Sequence, residues 1–428
     1  MSASSPRPLQ RSDGPGPNLR VAVIGAGVVG LACAANLQMR GHAVTLIDPL
    51  PPGEGCSFGN AGCLSRASFV PLGLPGAWKK VPGWLLDPDG PLVIPPRYAL
   101  KIAPWLWGLH RATSHERVTR IADALFPLLD RTIAKWRPLA AWAGVPELIR
   151  QDGYGFAYES EAGFRGDALG RKLRQDRGVR IEVLTGPQVR ELEPALSSAI
   201  THLVLMPDQG HVPSPIRLSR ALAERLRAGG ATFVARSARD FAFRDGRVAE
   251  VLTDGASVPV DAVVIAAGAH SKPLAARLGS VVPLETERGY HVMLKAPTVL
   301  PRIPVCSGEG KYFATPMEGG LRVAGTVELA GLDAPPNYRR ADALLPGAKR
   351  LLPGLEHGEV ERWMGHRPSL PDSMPVIGRS PRFPNACFAF GHGHVGLTTS
   401  APTGEIVAAL VSGEEPEIDI RPFAATRF

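Results

Sequence analysis

The sequence predicts an α/β fold, α+β overall, in which a doubly wound parallel sheet is interrupted by a second, mostly antiparallel sheet. Three observations predict it. LRVAVIGAG at 19–27 is a short apolar run of the kind buried on both faces of a parallel sheet, and residues from Val28 to Arg40 follow with small and apolar side chains at helical spacing. A second such run, DAVVIAAGA at 261–269, returns the chain to that sheet after a long excursion. The pieces GYHVMLK, KYFATPM and GLRVAGTV, all within 281–365, suit a separate antiparallel sheet.

The elements follow in order. The first helix stops at Gly41, and AVTLID supplies the next strand, completing a strand–helix–strand unit. Residues 49–76 are rich in Pro and Gly and read as a long functional loop. Residues 97–145 have helical spacing; Gly153 to Glu159 reads as a strand, Ala162 to Arg177 as a helix and Arg180 to Leu184 as a strand. A helix from Ile216 to Arg227 precedes ATFVA and a hairpin, FAFRDGRVAEVLT, that turns at Asp245-Gly246. After Pro368 come a glycine-rich stretch and a closing helix from Thr403 to Val411, and no internal repeat is visible. The boundaries drawn from this are a Ser/Pro/Gly-rich disordered tail at 1–18, a parallel-sheet domain from 19–76, 211–280 and 369–428, and a second domain from 77–210 and 281–368 that includes the helical segment 97–145.

With 428 residues the chain is too long for one small core. The formal charge of +8 suits a nucleic acid, an anionic membrane or an acidic small molecule, but no run of five basic residues occurs and the arginine-rich stretches alternate with apolar residues as on solvated helix faces, which disfavours nucleic acid. The five cysteines form no CxxC pair, so neither a disulfide framework nor a zinc site is indicated and a reducing cytoplasm fits. No apolar window is long enough to span a bilayer. The stretch from Trp78 to Trp107 sets Trp78, Trp84, Leu85, Leu86, Trp105, Leu106 and Trp107 beside Lys79, Lys80, Arg97 and Lys101, which suits either a helix burying its aromatics under the second domain or peripheral contact with the inner face of the cytoplasmic membrane.

Gly25-Ala26-Gly27-Val28-Val29-Gly30 lies between the first strand and helix, and Asp48 ends the next strand. Gly25 permits the tight turn, Gly27 lets a pyrophosphate approach the backbone at the helix N-terminus, and Gly30 lets helix and strand pack closely, as in a Rossmann-type dinucleotide site. Asp48 can accept hydrogen bonds from ribose hydroxyls and repels a 2′-phosphate, leaving FAD or NAD. The motif does not choose between them.

Longer segments do. GEGCSFGNAG at 53–62, the strand end Ala266-Ala267-Gly268 and GHGHVGLT at 391–398 together resemble the FAD-dependent amine oxidoreductases that include D-amino-acid oxidase, glycine oxidase and the bacterial D-amino-acid dehydrogenases. PPGEGCSFGNAGC, TERGYH, ATPMEGGLRVAGTVELAGL, WMGHRPSLPDSMPVIGR and the terminal ID-x-x-PFA-x-x-RF are most similar to the dehydrogenase branch containing glyphosate oxidoreductase. The resemblance implies that Ser57, Asn60, Ala61 and Gly62 contact FAD, with Ala267 and Gly268 at the strand end, and that Gly391, Gly393, Val395, Gly396, Leu397 and Thr398 approach the flavin from the other side. Some relatives tether FAD to a cysteine in the stretch matching 362–378; this chain has none there, so non-covalent FAD is expected.

The implied reaction is oxidation of the C–N bond of a D-amino acid or an N-substituted glycine such as glyphosate, by hydride transfer to flavin N5, giving an imine that water converts to an oxo acid or glyoxylate plus an amine. A D-proline or D-hydroxyproline type of imino-acid dehydrogenase is the alternative, and a non-catalytic flavin-binding subunit is a reading from another class. The electron acceptor expected is a quinone or similar, as in a dehydrogenase rather than an oxidase. Arg367 in Gly365-His366-Arg367-Pro368 resembles the arginine that binds substrate carboxylate in glycine oxidase; a guanidinium suits that task because its planar fork meets a carboxylate with two parallel hydrogen bonds. His394 is a candidate second substrate contact and His392 a residue shaping the loop, while Tyr290 and His291 are candidates either to orient the amine or to pack in the core. No metal is expected, because glycines surround the histidine pair with no acidic or cysteine ligand nearby.

Overall fold

Arg20–Ile24, whose last four residues are fully buried, is the axis of a six-stranded sheet in the computed structural model, which describes residues 18–71, 73–79, 81–87 and 90–428. It pairs in parallel with Ala43–Ile47 on one side and Ala262–Ile265 on the other. Thr232–Val234 and Ala386–Phe390 extend the parallel sheet outward, and Val376–Arg379 closes one edge antiparallel to its neighbour. Small residues explain the layer above it: Ala32, Cys33, Ala34 and Ala35 of helix Val28–Met39 are buried against helix Gly396–Val411, and a Cβ on Gly404 would come within 2.5 Å of the Ala32 carbonyl oxygen. The opposite face is covered by the hairpin Ala238–Arg244 and Arg247–Thr253, which turns at Asp245-Gly246 with φ of 50° and 71°, the left-handed pair that tight hairpin turns require.

Among the described residues the second sheet has nine strands, with all pairings antiparallel except Val305–Ser307 with Tyr154–Tyr158 and Gly320–Glu328 with Leu92–Val93. Its long strands sort their residues by parity. Tyr290, Val292 and Leu294 face outward into a core with Leu344, Ala348 and Leu351 of the helix Leu344–Leu351, leaving Glu287, Gly289 and His291 on the inner face. Val360–Ser369 is the edge strand, set in register opposite Glu285–Leu294 so that Arg367 pairs with Glu287 and Trp363 with His291.

Packing divides the helical segment differently from the sequence-drawn boundary. It forms three helices, Pro96–Ala112, His115–Asp130 and Thr132–Trp142. Leu128, Leu129 and Trp136 of the last two join the core built on Leu31 and Val407, the Trp136 indole donates to the Leu397 carbonyl (2.9 Å), and the Thr132 hydroxyl donates to the Thr398 carbonyl (3.0 Å). The first helix packs on the second sheet instead, through Ile102, Trp105 and Leu329. Helical periodicity reports that a face is buried, not against what. The span read as a single helix from Ala162 to Arg177 breaks at Asp167 into Glu161–Gly166 and Ala168–Gln175. The strands Val360–Ser369 and Ala386–Phe390 had no sequence expectation. Of the tail, 1–17 lies outside the described residues.

Candidate active site

The C-terminal ends of the central parallel strands open on a cleft of about 810 Å³ that reaches from Gly25 and Asp48 to Trp363 and His392. Its volume is within the range of ligand pockets, and its place at the strand ends is where doubly wound sheets bind ligands. At one end the chain turns at Gly25 with φ of 109°, where a side chain would fall on the Ala266 carbonyl. A Cβ on Gly30 would likewise strike the Gly25 carbonyl, so Gly30 is the close helix–strand contact rather than a lining residue. Gly27, Val28 and Val29 begin the helix at the cleft wall, where the aligned peptide dipoles favour an anion. Asp48 is held there by two backbone donors, Ala26 N–H at 2.7 Å and Leu50 N–H at 2.9 Å.

The loop 53–62 folds over this turn. The Ser57 hydroxyl accepts from the Val28 N–H (2.9 Å), and Gly62, with φ of 80°, brings its backbone so near that a Cβ would lie 2.6 Å from the Val212 carbonyl oxygen. The Asn60 side chain accepts from the Gly62 N–H (2.8 Å), fixing Ala61 between them. Arg322, from the inner face of the second sheet, donates to the carbonyls of Phe58 (3.0 Å) and Asn60 (2.6 Å) and so pins the loop between the two sheets. From the other side Ala267 and Gly268 line the cleft at the end of Ala262–Ile265, as do Gly393, Gly396 and Leu397. Gly391 and Gly393 turn with φ of 80° and 52°, and the Gly393 N–H donates to the Pro368 carbonyl (2.8 Å). His392 is buried beside the Thr403 hydroxyl (3.2 Å) and shapes this turn. Gly391 and Val395 line a separate small cavity with His394 and Ser369, and the Thr398 hydroxyl donates to the Cys63 carbonyl (3.0 Å), so these three support the wall rather than line the main cleft. A glycine turn at a helix N-terminus, a fixed carboxylate and a long two-walled cleft fit a dinucleotide.

Beyond the cleft, Arg367 lies on the inner face of the second sheet. Between Arg288 and Tyr290 the neighbouring strand Gly320–Glu328 carries an extra residue, and Thr326 in that bulge has φ of 56°. The bulge aims the Thr326 carbonyl at the Arg367 guanidinium (3.1 Å), which lies across Gly289 where any Cβ would overlap it. The charge of Arg367 acts on Cys56, Glu287, His291 and His394, and Glu287 stands opposite it in strand register. His394 is exposed at the outer end of this group, and partial desolvation of its ring, followed by the Arg367 charge, lowers its pKa. Burial raises the Cys56 and Cys63 thiols to about 11 and about 12, so both are protonated and unreactive at neutral pH.

Two expectations change. Tyr290 faces away from the site: its hydroxyl donates to Glu328 and accepts from the Asn337 N–H (3.1 Å), in a buried network that Arg288 completes with an ion pair to Glu328 (3.1 Å). Strand parity decides this, because neighbours on a strand point to opposite faces. Tyr290 therefore packs in the outer core and is not placed to orient the amine. His291 is on the inner face, but its ring stacks on Trp363 (centroids 5.1 Å apart, planes at 18°) and its Nδ1 meets the Gly59 carbonyl at 3.2 Å. Burial, then the Arg322 charge, lowers its pKa to about 3, so a neutral ring braces the loop. Sequence reasoning missed Trp363 as a cleft residue, and it missed Glu287 and Arg322; alternation along an unrecognised edge strand carries Trp363, and alternation along TERGYH and GLRVAGTV carries Glu287 and Arg322.

The fold and this cleft define a class, and the chain belongs to it: a family model described as "DAO: FAD dependent oxidoreductase" matches residues 20–410. It is therefore an FAD-dependent oxidoreductase. It is 43% identical to a D-amino-acid oxidase of Bradyrhizobium diazoefficiens over 95% of this chain and 98% of that protein, and 30% identical to a D-amino acid dehydrogenase of the same organism over 96% and 99%. Among solved structures it resembles glycine oxidase from Geobacillus kaustophilus (TM-score 0.77, 24% identity, 96% of this chain and 99% of that one). Iminodiacetate oxidase from Chelativorans sp. BNC1 is also similar, with a TM-score of 0.71 and 22% identity over 95% and 98% of the two chains. These structural likenesses establish the fold.

Proposed function

We propose that the protein oxidises the C–N bond of D-amino acids or N-substituted glycines, with FAD held non-covalently along the cleft from Gly25 to Leu397. The observation that carries the reading is Arg367, an arginine fixed by the Thr326 carbonyl beside the cleft, with donors left to meet a carboxylate. When bound, FAD supplies the electron sink for the carbon next to nitrogen. The residues of this chain do the rest: Arg367 holds the carboxylate, His394 adds a neutral polar contact, and the helix-borne Trp105 covers the edge strand by donating to the Ser369 carbonyl (3.4 Å). Water converts the imine product to an oxo acid or glyoxylate and an amine. The test is anaerobic bleaching of the flavin near 450 nm with D-amino acids, glycine, sarcosine, D-hydroxyproline and glyphosate. Bleaching by none of them defeats the proposal.

The acceptor proposed is a quinone at a membrane surface. Among the described residues no helix is long and apolar enough to cross a bilayer. Helix Pro96–Ala112, however, buries Trp105 while leaving Leu100 91% and Trp107 63% exposed, with Arg97, Lys101 and Arg111 also exposed along it. Lys80 and the side chains of Trp84 and Leu86 lie outside the described residues. An apolar stripe flanked by cations is the composition of an interfacial helix. The protein is expected to co-sediment with vesicles containing anionic lipid, and a Leu100→Asp, Trp107→Ala variant to bind them at least about tenfold more weakly, since each side chain contributes on the order of 1.5–3 kcal/mol when buried. Equal sedimentation of variant and wild type removes the membrane contact. Air-saturated buffer reoxidising the flavin as fast as a quinone does removes the quinone preference.

A further inference from the structure

Carboxylates on and beside this sheet have partners that account for them. Glu285 accepts from the Tyr98 hydroxyl (2.8 Å), Glu328 pairs with Arg288 and Tyr290, and Glu361 pairs with Lys295 (3.1 Å). Glu287 differs. It is only 4% exposed, on the inner face, in register with Arg367 on the edge strand, yet the Arg367 guanidinium turns away from it across Gly289 to the Thr326 carbonyl. Burial pushes its pKa up, while the Arg367 charge and then the Ser369 hydroxyl favour its ionised form. A carboxylate taken out of water beside a cation, without closing a pair with it, costs stability that neither residue recovers in the free protein.

We propose that Glu287 receives the substrate ammonium, so that Glu287 and Arg367, opposed on neighbouring strands, form one receptor for an amino-acid zwitterion. The inference rests on the reading of Arg367 as the carboxylate site given above. Directly opposed residues of antiparallel strands have Cβ atoms about 4.5–5.5 Å apart, a spacing that lets two side chains close on the two charged groups borne by a single substrate carbon. Strand parity adds that Gly289, the next inner-face residue, has no side chain where the Arg367 guanidinium lies, so the guanidinium can extend past Glu287 to the Thr326 carbonyl instead of closing on it. The substrate then supplies both charges that the empty pair lacks, and selection falls on molecules carrying the ammonium as well as the carboxylate. A plain carboxylate meets Arg367 but leaves Glu287 without its partner, and pays for bringing a second negative group beside it.

The holoenzyme tests this with matched ligands: D-alanine against propionate, and D-phenylalanine against 3-phenylpropionate. Dissociation constants for the amino acids come from the concentration dependence of anaerobic flavin reduction, and for the des-amino acids from perturbation of the flavin spectrum. Glu287→Gln, which keeps shape and loses charge, is expected to weaken both amino acids at least tenfold while des-amino acids bind as well as or better than in wild type. Glu287→Asp should retain part of the preference. Retained binding of the des-amino acids also reports a folded site. If Glu287→Gln weakens both ligand types equally, Glu287 only neutralises Arg367, and if it changes neither, it does not face the substrate; either result overturns the proposal. Failure of wild type to bind any of the four is a different outcome, because it removes the carboxylate site itself.

Discussion

Arg367→Ala is expected to lower kcat/KM for a carboxylate substrate by a factor of roughly 30 to several thousand, the equivalent of the about 2–5 kcal/mol lost when one member of a hydrogen-bonded charge pair is truncated. FAD content should stay normal, because the glycine turn and the loop 53–62 are held by Asp48, Ser57, Asn60 and Arg322 and not by Arg367. Arg367→Lys should fall between the two. It restores a positive charge, but a point charge cannot be held by the Thr326 carbonyl and still present a two-bond fork to the substrate. Steady-state kinetics within about twofold of wild type for both variants, under 1 kcal/mol, would place the carboxylate elsewhere.

Gly25→Val should abolish FAD retention and destabilise the fold together. The residue has φ of 109°, and its missing side chain would occupy the Ala266 carbonyl at the point where Arg20–Ile24 and Ala262–Ile265 end side by side. Left-handed strain of roughly 1–2 kcal/mol adds to overpacking of about 1–3 kcal/mol. Gly27→Ala is the informative comparison, since its Cβ would stand 3.2 Å from the Ser57 hydroxyl, a contact that a small shift relieves. It should keep most of the thermal stability and lose FAD affinity selectively. Both readouts, flavin-to-protein absorbance and thermal unfolding, are needed. Stoichiometric FAD in purified Gly25→Val protein contradicts the nucleotide assignment.

The glycine turn was legible because each of its residues has a local reason to be there, set by one strand and one helix. The loop 53–62 and the turn at 391–398 were legible only through resemblance. Their backbones are fixed by distant partners, Arg322 and Pro368, that no local pattern connects to them. Tyr290 shows the opposite failure. A tyrosine next to a site residue looks functional by position, and the period of two that turns it outward becomes visible only once the strand is known to run unbroken from Glu285 to Leu294. Glu287 and Trp363 stayed hidden for the same reason, since their proximity to the cleft is a property of register between two strands about 75 residues apart in sequence. The helical segment was found, but the division of its three helices between two cores is a tertiary choice that amphipathic spacing does not encode.

The parallel sheet has a consequence for how the chain is made. Its central strand, Arg20–Ile24, gains its partner Ala262–Ile265 only after some 240 further residues, and the helix that covers it, Val28–Met39, packs on Gly396–Val411 near the end of the chain. At 5–20 residues per second, a ribosome delivers that second strand about 10–50 s after the first, and the helix Gly396–Val411 later still. During this interval the earliest apolar strand has Ala43–Ile47 beside it but an open edge on the other side, in the high-contact-order topology that folds slowly and aggregates easily. The proposed cofactor cleft is therefore assembled last, from the first and final parts of the chain, and on that proposal nascent protein has no competent place for FAD until translation is nearly complete.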